Sequence, residues 1–268
     1  MKKHTKPLYR CRFCAKPLTH TFVDLGMTPL ANSYVKKENI QKPENFYPLH
    51  TYVCNHCFLV QLPEHAPAKE IFNQEYAYFS SYTLSWLEHA KQYTQMMQER
   101  FQFSKKVLVI EIASNDGYLL QYFKQVGIPV LGIEPTINTA SVARKKGIKT
   151  ITQFFGKDLA KKLKKKKIEA KLLIGNNVLA HVPNLNDFIS GMKLLLAKDG
   201  IITMEFPHLL KLIANNQFDT IYHEHFSYFS FLAVQKIFAH HGITLFDVEE
   251  IPTHGGSLRI FAKHKDNK

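Results

Sequence analysis

Residues 217–230 read QFDTIYHEHFSYFS, and Tyr222, His223, Glu224 and His225 put four groups able to hold or move a proton at consecutive positions. A neutral imidazole can take a proton from a carbon beside a carbonyl, a carboxylate can orient that imidazole, and a tyrosine can donate to the enolate oxygen that develops. His-Glu-His lacks the helical i, i+4 histidine pair of a metalloprotease, so no catalytic metal is indicated there. The plain alternative is a buried polar loop. Upstream, the run VLVIEIA ends in Glu111-Ile-Ala-Ser-Asn-Asp-Gly117, and Glu134 closes the next apolar run 23 residues later. A tight turn into a helix, followed by a carboxylate placed for ribose hydroxyls, is the layout of a nucleotide site at the ends of parallel strands; a turn with no ligand is the alternative. Asn176 and Asn177 end a later run, where their amides can read an adenine or a substrate carbonyl, or only cap the turn. His181 lies just beyond. His254-Gly-Gly-Ser257, before the last apolar run, allows either a close backbone approach to a ligand or a tight hairpin.

All four cysteines fall in two C-x-x-C pairs, Cys11/Cys14 and Cys54/Cys57. Two such knuckles facing each other offer four thiolates in the tetrahedral arrangement that suits Zn²⁺, with no position left for a substrate, so the site would hold the fold rather than do chemistry. A redox role would call for one motif at a helix start. His50 and His56 lie close enough in sequence to replace a thiolate. The gap between the pairs is longer than in the usual zinc ribbon and leaves room for a small subdomain between Val23 and Leu49.

These groups need elements to position them. Residues 82–103 read as a helix with Leu84, Leu87, Tyr93, Met96, Met97 and Phe101 on its buried face. From residue 107 strand and helix patterns alternate: strands at 107–113, 130–135, 149–155, 171–178, 201–207 and LRIFAKH, with helices at 116–127, 138–147, across the Lys-rich segment and at 185–200. Alternation of this kind implies βαβ units and a parallel sheet covered on both faces.

The chain has 268 residues, enough for one large domain and a smaller module. With 45% hydrophobic residues it is neither disordered nor fibrous. The net charge of +13 raises nucleic acid as a partner. Residues 1–16, 157–171 and 263–268 carry +6, +6 and +2, one more than the whole chain, so the remainder nets −1. The basicity is peripheral, the lysine run lacks the interleaved aromatics that stack bases, and no nucleic-acid partner is expected. No run of about 18 apolar residues exists, and MKKHTKPLYR is not followed by an apolar segment. Neither a spanning helix nor a signal peptide is expected, and a cytoplasmic address follows.

The strand-end turn is similar to the Glu-x-Gly-x-Gly-x-Gly motif of class I S-adenosylmethionine methyltransferases, with Ala113 and Asn115 in its first two glycine positions. A carboxylate there suits a cationic ammonium and sulfonium better than a pyrophosphate, which disfavours a dehydrogenase. The order of motifs across nearly the whole chain resembles the zinc-containing sugar C-methyltransferases: the paired cysteines, FYPLHTYVC, EYAYFSSYTLSWL, EIASNDGYLL, GIEPTINTA, NNVLAHVPNLNDF, QFDTIYHEHFSYFS and PTHGGSLRIF. Those enzymes use S-adenosylmethionine to methylate a ring carbon of a nucleotide-linked 4-keto deoxysugar.

The resemblance implies an α/β fold: a Rossmann-like class I methyltransferase sheet with a small N-terminal zinc-binding module. The expected organisation is a zinc module over 1–72, a linking helical segment over 73–104, and a cofactor-binding domain with its active-site loop over 105–268. It also implies a structural zinc on Cys11, Cys14, Cys54 and Cys57. Glu111, Ala113, Asn115 and Gly117 would line the methionine part of the cofactor, Glu134 its ribose, and Asn176 with Asn177 its neighbourhood. Tyr76, His181, Tyr222, Glu224 and His225 match the active-site positions, with His225 the base and Tyr222 or His181 the partner of the enolate oxygen. The family usually continues into a C-terminal domain that helps bind the nucleotide, so a further domain or a partner chain is implied. The competing expectations are a relative that binds cofactor without catalysing, and a basic RNA methyltransferase whose RNA binding would weaken steeply with salt.

Overall fold

The computed structural model describes residues 9–73 and 76–267; residues 1–8 and Lys268, part of two of the basic stretches, lie outside them. β1 (His20–Thr28), β2 (Tyr47–Val53) and β3 (Val60–Gln61) form a small antiparallel sheet. Between it and the main sheet in chain order come α1 (Ala68–Ile71) and α2 (Leu84–Phe101).

The main sheet is built as the apolar runs dictate. β4 (Val109–Ile112), α3 (Leu120–Gln125), β5 (Val130–Ile133), α4 (Ile137–Lys145), β6 (Thr150–Ile151), α5 (Lys157–Lys165), β7 (Ala170–Asn176), α6 (Leu185–Leu195) and β8 (Leu196–Pro207) follow in alternation. Then come α7 (Leu209–Ala214), β9 (Ser227–Tyr228), α8 (Phe231–His240), β10 (Ile243–Ile251) and β11 (Ser257–His264). The seven-stranded order is β10-β11-β8-β7-β4-β5-β6. β4 to β8 run parallel, and the β10–β11 hairpin adds antiparallel strands on the β8 edge. All four residues of β4 are buried, as a strand covered on both faces must be. Chain order reverses between β4 and β7, which opens a ligand crevice beyond their carboxyl ends.

The structure differs from sequence expectation at three elements. On α2 the buried stripe is Trp86, Ala90, Tyr93, Thr94 and Met97, while Leu84 is 81% exposed; position relative to the core, not hydrophobicity, decides. The helix at 185–200 ends at Leu195, because Leu196 pairs with Ala170 and Gly200 brings its backbone against the Ala170 carbonyl, where an added Cβ would stand 2.8 Å away. The strand at 149–155 shortens to two residues on the sheet edge, and Gln153, Phe154 and Phe155 turn into the wall of a cavity. The lysines of α5 form an exposed face over buried Leu159, Ala160 and Leu163.

β9, which begins two residues after His225, leaves the main domain's layers and pairs with β3 of the small sheet. The loop with the densest proton-transfer chemistry therefore runs into a strand of the cysteine module's sheet. No helix among the described residues is long and apolar enough to cross a membrane.

Candidate active site and metal centre

Each cysteine knuckle is the same turn. Ala15 N–H donates to the Cys11 carbonyl and Phe58 N–H to the Cys54 carbonyl, and both Ala15 and Phe58 adopt positive φ (59° and 66°). The four Sγ atoms lie within 4.8 Å of one another, with Cys11–Cys57 and Cys14–Cys54 each at 3.5 Å. A Zn–S bond of about 2.3 Å implies tetrahedral S···S edges of about 3.8 Å, so the cluster fits the ion. Hydrogen bonds from the Cys57 thiol and the Gln61 amide hold Cys11 far on the thiolate side. The cluster contains neither His50, which faces Asp24 and Thr21, nor His56, which is exposed.

A cavity of about 710 Å³ opens at the carboxyl ends of β4, β5 and β7 and extends to the Tyr222–His225 loop and Asn32. At one end Ala113, Asn115 and Gly117 all take positive φ (56°, 48°, 76°). The turn thus keeps a glycine-type backbone with two side chains in it, at a cost of about 1–2 kcal/mol for each non-glycine residue. A side chain at Gly117 would be strained by its φ of 76°, and its Cβ would have to displace the Ile148 Cδ1 methyl, 2.5 Å away. Glu134 accepts from Asn115 N–H (2.9 Å) and from Thr136 N–H (2.8 Å) and Oγ1–H (2.5 Å), and burial raises its carboxyl. Asn176 is buried on the cavity wall with neither side-chain polar atom partnered, and Asn177 turns to His254 Nδ1 at 3.4 Å.

Ala113, Asn115, Glu134, Asn176 and Asn177 line the cavity; Glu111 and Gly117 stand behind it. Glu111 is fully buried near Tyr118, Asp116, Glu134 and Glu205, with both oxygens unpartnered and its carboxyl well above the usual range through burial. Tyr118 and Trp86, stacked at 5.8 Å, supply the wall in its place.

Asn115 has a function that its motif position did not disclose. Its Oδ1 accepts from Ser80 N–H and its Nδ2 donates to Tyr78 O, while Asn138 Nδ2 donates to Tyr76 O. Together they hold residues 76–81 as a strap against the turn, so Tyr76 and Tyr78 face the cavity.

At the other end the five predicted catalytic side chains converge on one cavity. His225 Nδ1 lies 2.7 Å from the Thr220 carbonyl and Nε2 lies 3.0 Å from Tyr222 Oη. A carbonyl only accepts, so Nδ1 carries the proton and the Nε2 lone pair faces the tyrosine. Burial pushes the His225 pKa down to about 4, so the ring is neutral at pH 7. His181 packs edge-on at 4.7 Å between ring centroids, also held neutral, with Nδ1 buried and unpartnered. Glu224 does not orient the imidazole as expected; Thr220 does. Glu224 instead accepts from Asn32 Nδ2 (2.7 Å) and Tyr76 Oη (3.4 Å), and burial raises its carboxyl. Asn32, Tyr78, Trp86 and Asn138 carried no local signal because their roles exist only through contacts distant in sequence. His254 proves to be the left-handed corner of the β10–β11 hairpin (φ 52°) and a wall residue.

A doubly wound sheet with a left-handed strand-end turn, a carboxylate closing the next strand and a cavity beyond them defines a nucleotide-cofactor enzyme. The chain belongs to the S-adenosylmethionine-dependent methyltransferases: the methyltransferase domain family matches residues 91–248. A zinc binding domain matches residues 11–72, and the N-terminal module is that domain. The C-methyltransferase NovU of Streptomyces niveus is 35% identical over 262 residues, 98% of this chain, which spans 62% of that relative's length. The fold is similar to magnesium protoporphyrin IX methyltransferase of Synechocystis PCC 6803, solved with bound S-adenosylhomocysteine (17% identity, TM-score 0.52, 66% of this chain and 82% of that one). It is also similar to the PH0226 protein of Pyrococcus horikoshii OT3 (14% identity, TM-score 0.56, 70% and 95%).

Proposed function

We propose that the chain is a C-methyltransferase that places a methyl group on the carbon beside the ketone of a nucleotide-linked 4-keto deoxysugar. One observation carries this reading: a neutral, tautomer-fixed His225 shares a single cavity with the strand-end turn and Glu134. A carbon acid beside a ketone is weaker than a hydroxyl and needs, besides a base, a partner for the enolate oxygen. Similarity to a C-methyltransferase agrees with this.

The orphaned amide of Asn176, the partly engaged Glu134 carboxylate and the cavity itself fit the cofactor. In this reading Glu134 takes the ribose, and Ala113, Asn115 and Asn176 the surroundings of the methionine part, with the buried carboxyl of Glu111 behind them. S-adenosylmethionine supplies a methyl group whose bonding pair stays on sulfur when it leaves. The chain's residues do the rest. His225 Nε2 takes the α-proton, the C–H pair becomes the C=C bond of an enolate as the carbonyl π pair moves to oxygen, and that C=C pair forms the bond to the methyl carbon as the carbonyl re-forms; the Nδ1–H···O contact to Thr220 steadies the imidazolium. Tyr222 gives up its contact with Nε2 and donates to the enolate oxygen. Glu224, Asn32 and Tyr76 form a hydrogen-bonding edge for sugar hydroxyls, and the narrow cavity aligns carbon and methyl.

Incubation with S-adenosylmethionine and a nucleotide 4-keto deoxysugar should release S-adenosylhomocysteine with a product heavier by one methylene. Cofactor binding without release would contradict the reading and leave a binding-only relative.

The base also sets a pH dependence. An ordinary histidine would lose activity as pH falls through about 6.5; here kcat/KM stays level through that region and declines only toward about pH 4. The unfolded chain binds a proton at this histidine across that same window and the folded chain does not, so stability falls as acid is added. Circular dichroism at each pH separates the two effects.

Asn115→Gly restores the glycine pattern and suits the φ of 48°, yet removes both strap contacts. The expected result is cofactor affinity within a few-fold of the parent and kcat lower by about tenfold, the worth of two hydrogen bonds. Isothermal titration and steady-state kinetics measure the two quantities.

A further inference from the structure

Arg12 stands between the first two cysteines and is not used by either the metal centre or the proton-transfer groups. Its Nη1 donates to the Pro183 carbonyl at 3.0 Å and its Nη2 to the Leu62 carbonyl at 2.5 Å. The guanidinium lies over the Phe226 ring, 5.4 Å from its centroid. The main chain of the knuckle is tied at the same point: Arg12 N–H donates to Gln61 Oε1, whose amide nitrogen donates to Cys11 Sγ, and Asn186 Nδ2 donates to the carbonyl of Phe13.

The places Arg12 reaches are those that set the two histidines. Phe226, the residue after His225, donates its N–H to Ala180 O, the residue before His181. Leu62 N–H then donates to Phe226 O. This ladder joins the β3 end, the catalytic loop and the His181 turn, and the carbonyls of Leu62 and of nearby Pro183 both accept from Arg12. A planar guanidinium satisfies both at once from two separate nitrogens held in a fixed fork, which the single nitrogen of a lysine does not reproduce.

We propose that Arg12 is a positioning residue: the zinc knuckle uses its guanidinium to lock the Leu62–Phe226–Ala180 ladder, and so fixes His225 and His181 against each other. The module then orders the active site as well as folding around its metal. The consequence for turnover rests on the reading of His225 and His181 as the working pair.

The test uses the zinc-loaded full chain carrying Arg12→Gln or Arg12→Lys. Four readouts are compared with the parent: zinc content by mass spectrometry, S-adenosylmethionine affinity, amide hydrogen exchange, and kcat with KM. Arg12→Gln should retain its zinc, its cofactor affinity and the protection of residues 109–176. Peptides covering 180–183 and 222–229 should exchange faster, and kcat should fall, each by about tenfold or more, the loss of charge-assisted hydrogen bonds. Arg12→Lys should lie between the two. Unchanged exchange at 180–183 and 222–229 would overturn the proposal. Loss of zinc together with protection of residues 20–53 would also overturn it, since Arg12 would then only fold the module. A parent chain with no turnover on the 4-keto sugar would instead refute the proposed function, and the exchange result would still decide the role of Arg12.

Discussion

His225→Asn is expected to lower kcat by about 10³-fold, within the range that a positioned general base contributes, while S-adenosylmethionine binds as before. The separation follows from the geometry. His225 sits at the small-sheet end of the cavity, bonded to Thr220 and Tyr222, and the cofactor turn at Ala113–Gly117 touches neither. Asparagine keeps a donor for the Thr220 carbonyl and the approximate volume of the ring, so the loop keeps its place; what is lost is the Nε2 lone pair. Tyr222→Phe should be milder, because it leaves the base and its Thr220 contact in place. If His225→Asn left kcat intact, the base would have to be sought elsewhere.

Cys54→Ser is expected to cost the zinc and, with it, turnover. Cys54 is fully buried and packs in the same core cluster as Leu59, Phe206 and Phe229. Structural zinc sites contribute on the order of 10 kcal/mol of apparent binding energy, and a serine in one of four thiolate positions forfeits most of it. The effect reaches catalysis because β9 pairs with β3, six residues from Cys54 at its nearer end. Metal analysis should show less than one zinc per chain, with kcat down by about 100-fold or more on the scale of a lost structural site. The second core cluster, around Tyr93, Met97, Phe123 and Ile174, contains no cysteine, so the parallel sheet should keep its far-ultraviolet signal. Full turnover by the chain after complete chelation would show that the module is dispensable.

The parallel sheet was legible because β4, β5 and β7 are short apolar runs that can be buried on both faces. The site was legible where chemistry is concentrated in sequence, as in Tyr222–His225 and the two C-x-x-C pairs. What could not be read is held together by distance. β9 is two residues long and owes its existence to Val60 and Gln61, more than 160 positions away. Asn32 reaches Glu224 across 192 residues. The partner of His225 is a main-chain carbonyl, which leaves no mark in side-chain composition. The Asn115 departure from the glycine pattern looked like a weakened motif, and it proves to be the anchor of the strap that carries Tyr76 and Tyr78.

The central claim is that His225 makes a carbon nucleophile. It is tested most directly by proton NMR of a nucleotide 4-keto deoxysugar in D₂O, with the parent chain and with His225→Asn. The account predicts that the signal of the hydrogen beside the ketone disappears with the parent at a catalysed rate and persists with the variant. Equal exchange by both proteins, or no exchange by a parent chain that binds the cofactor, would contradict it.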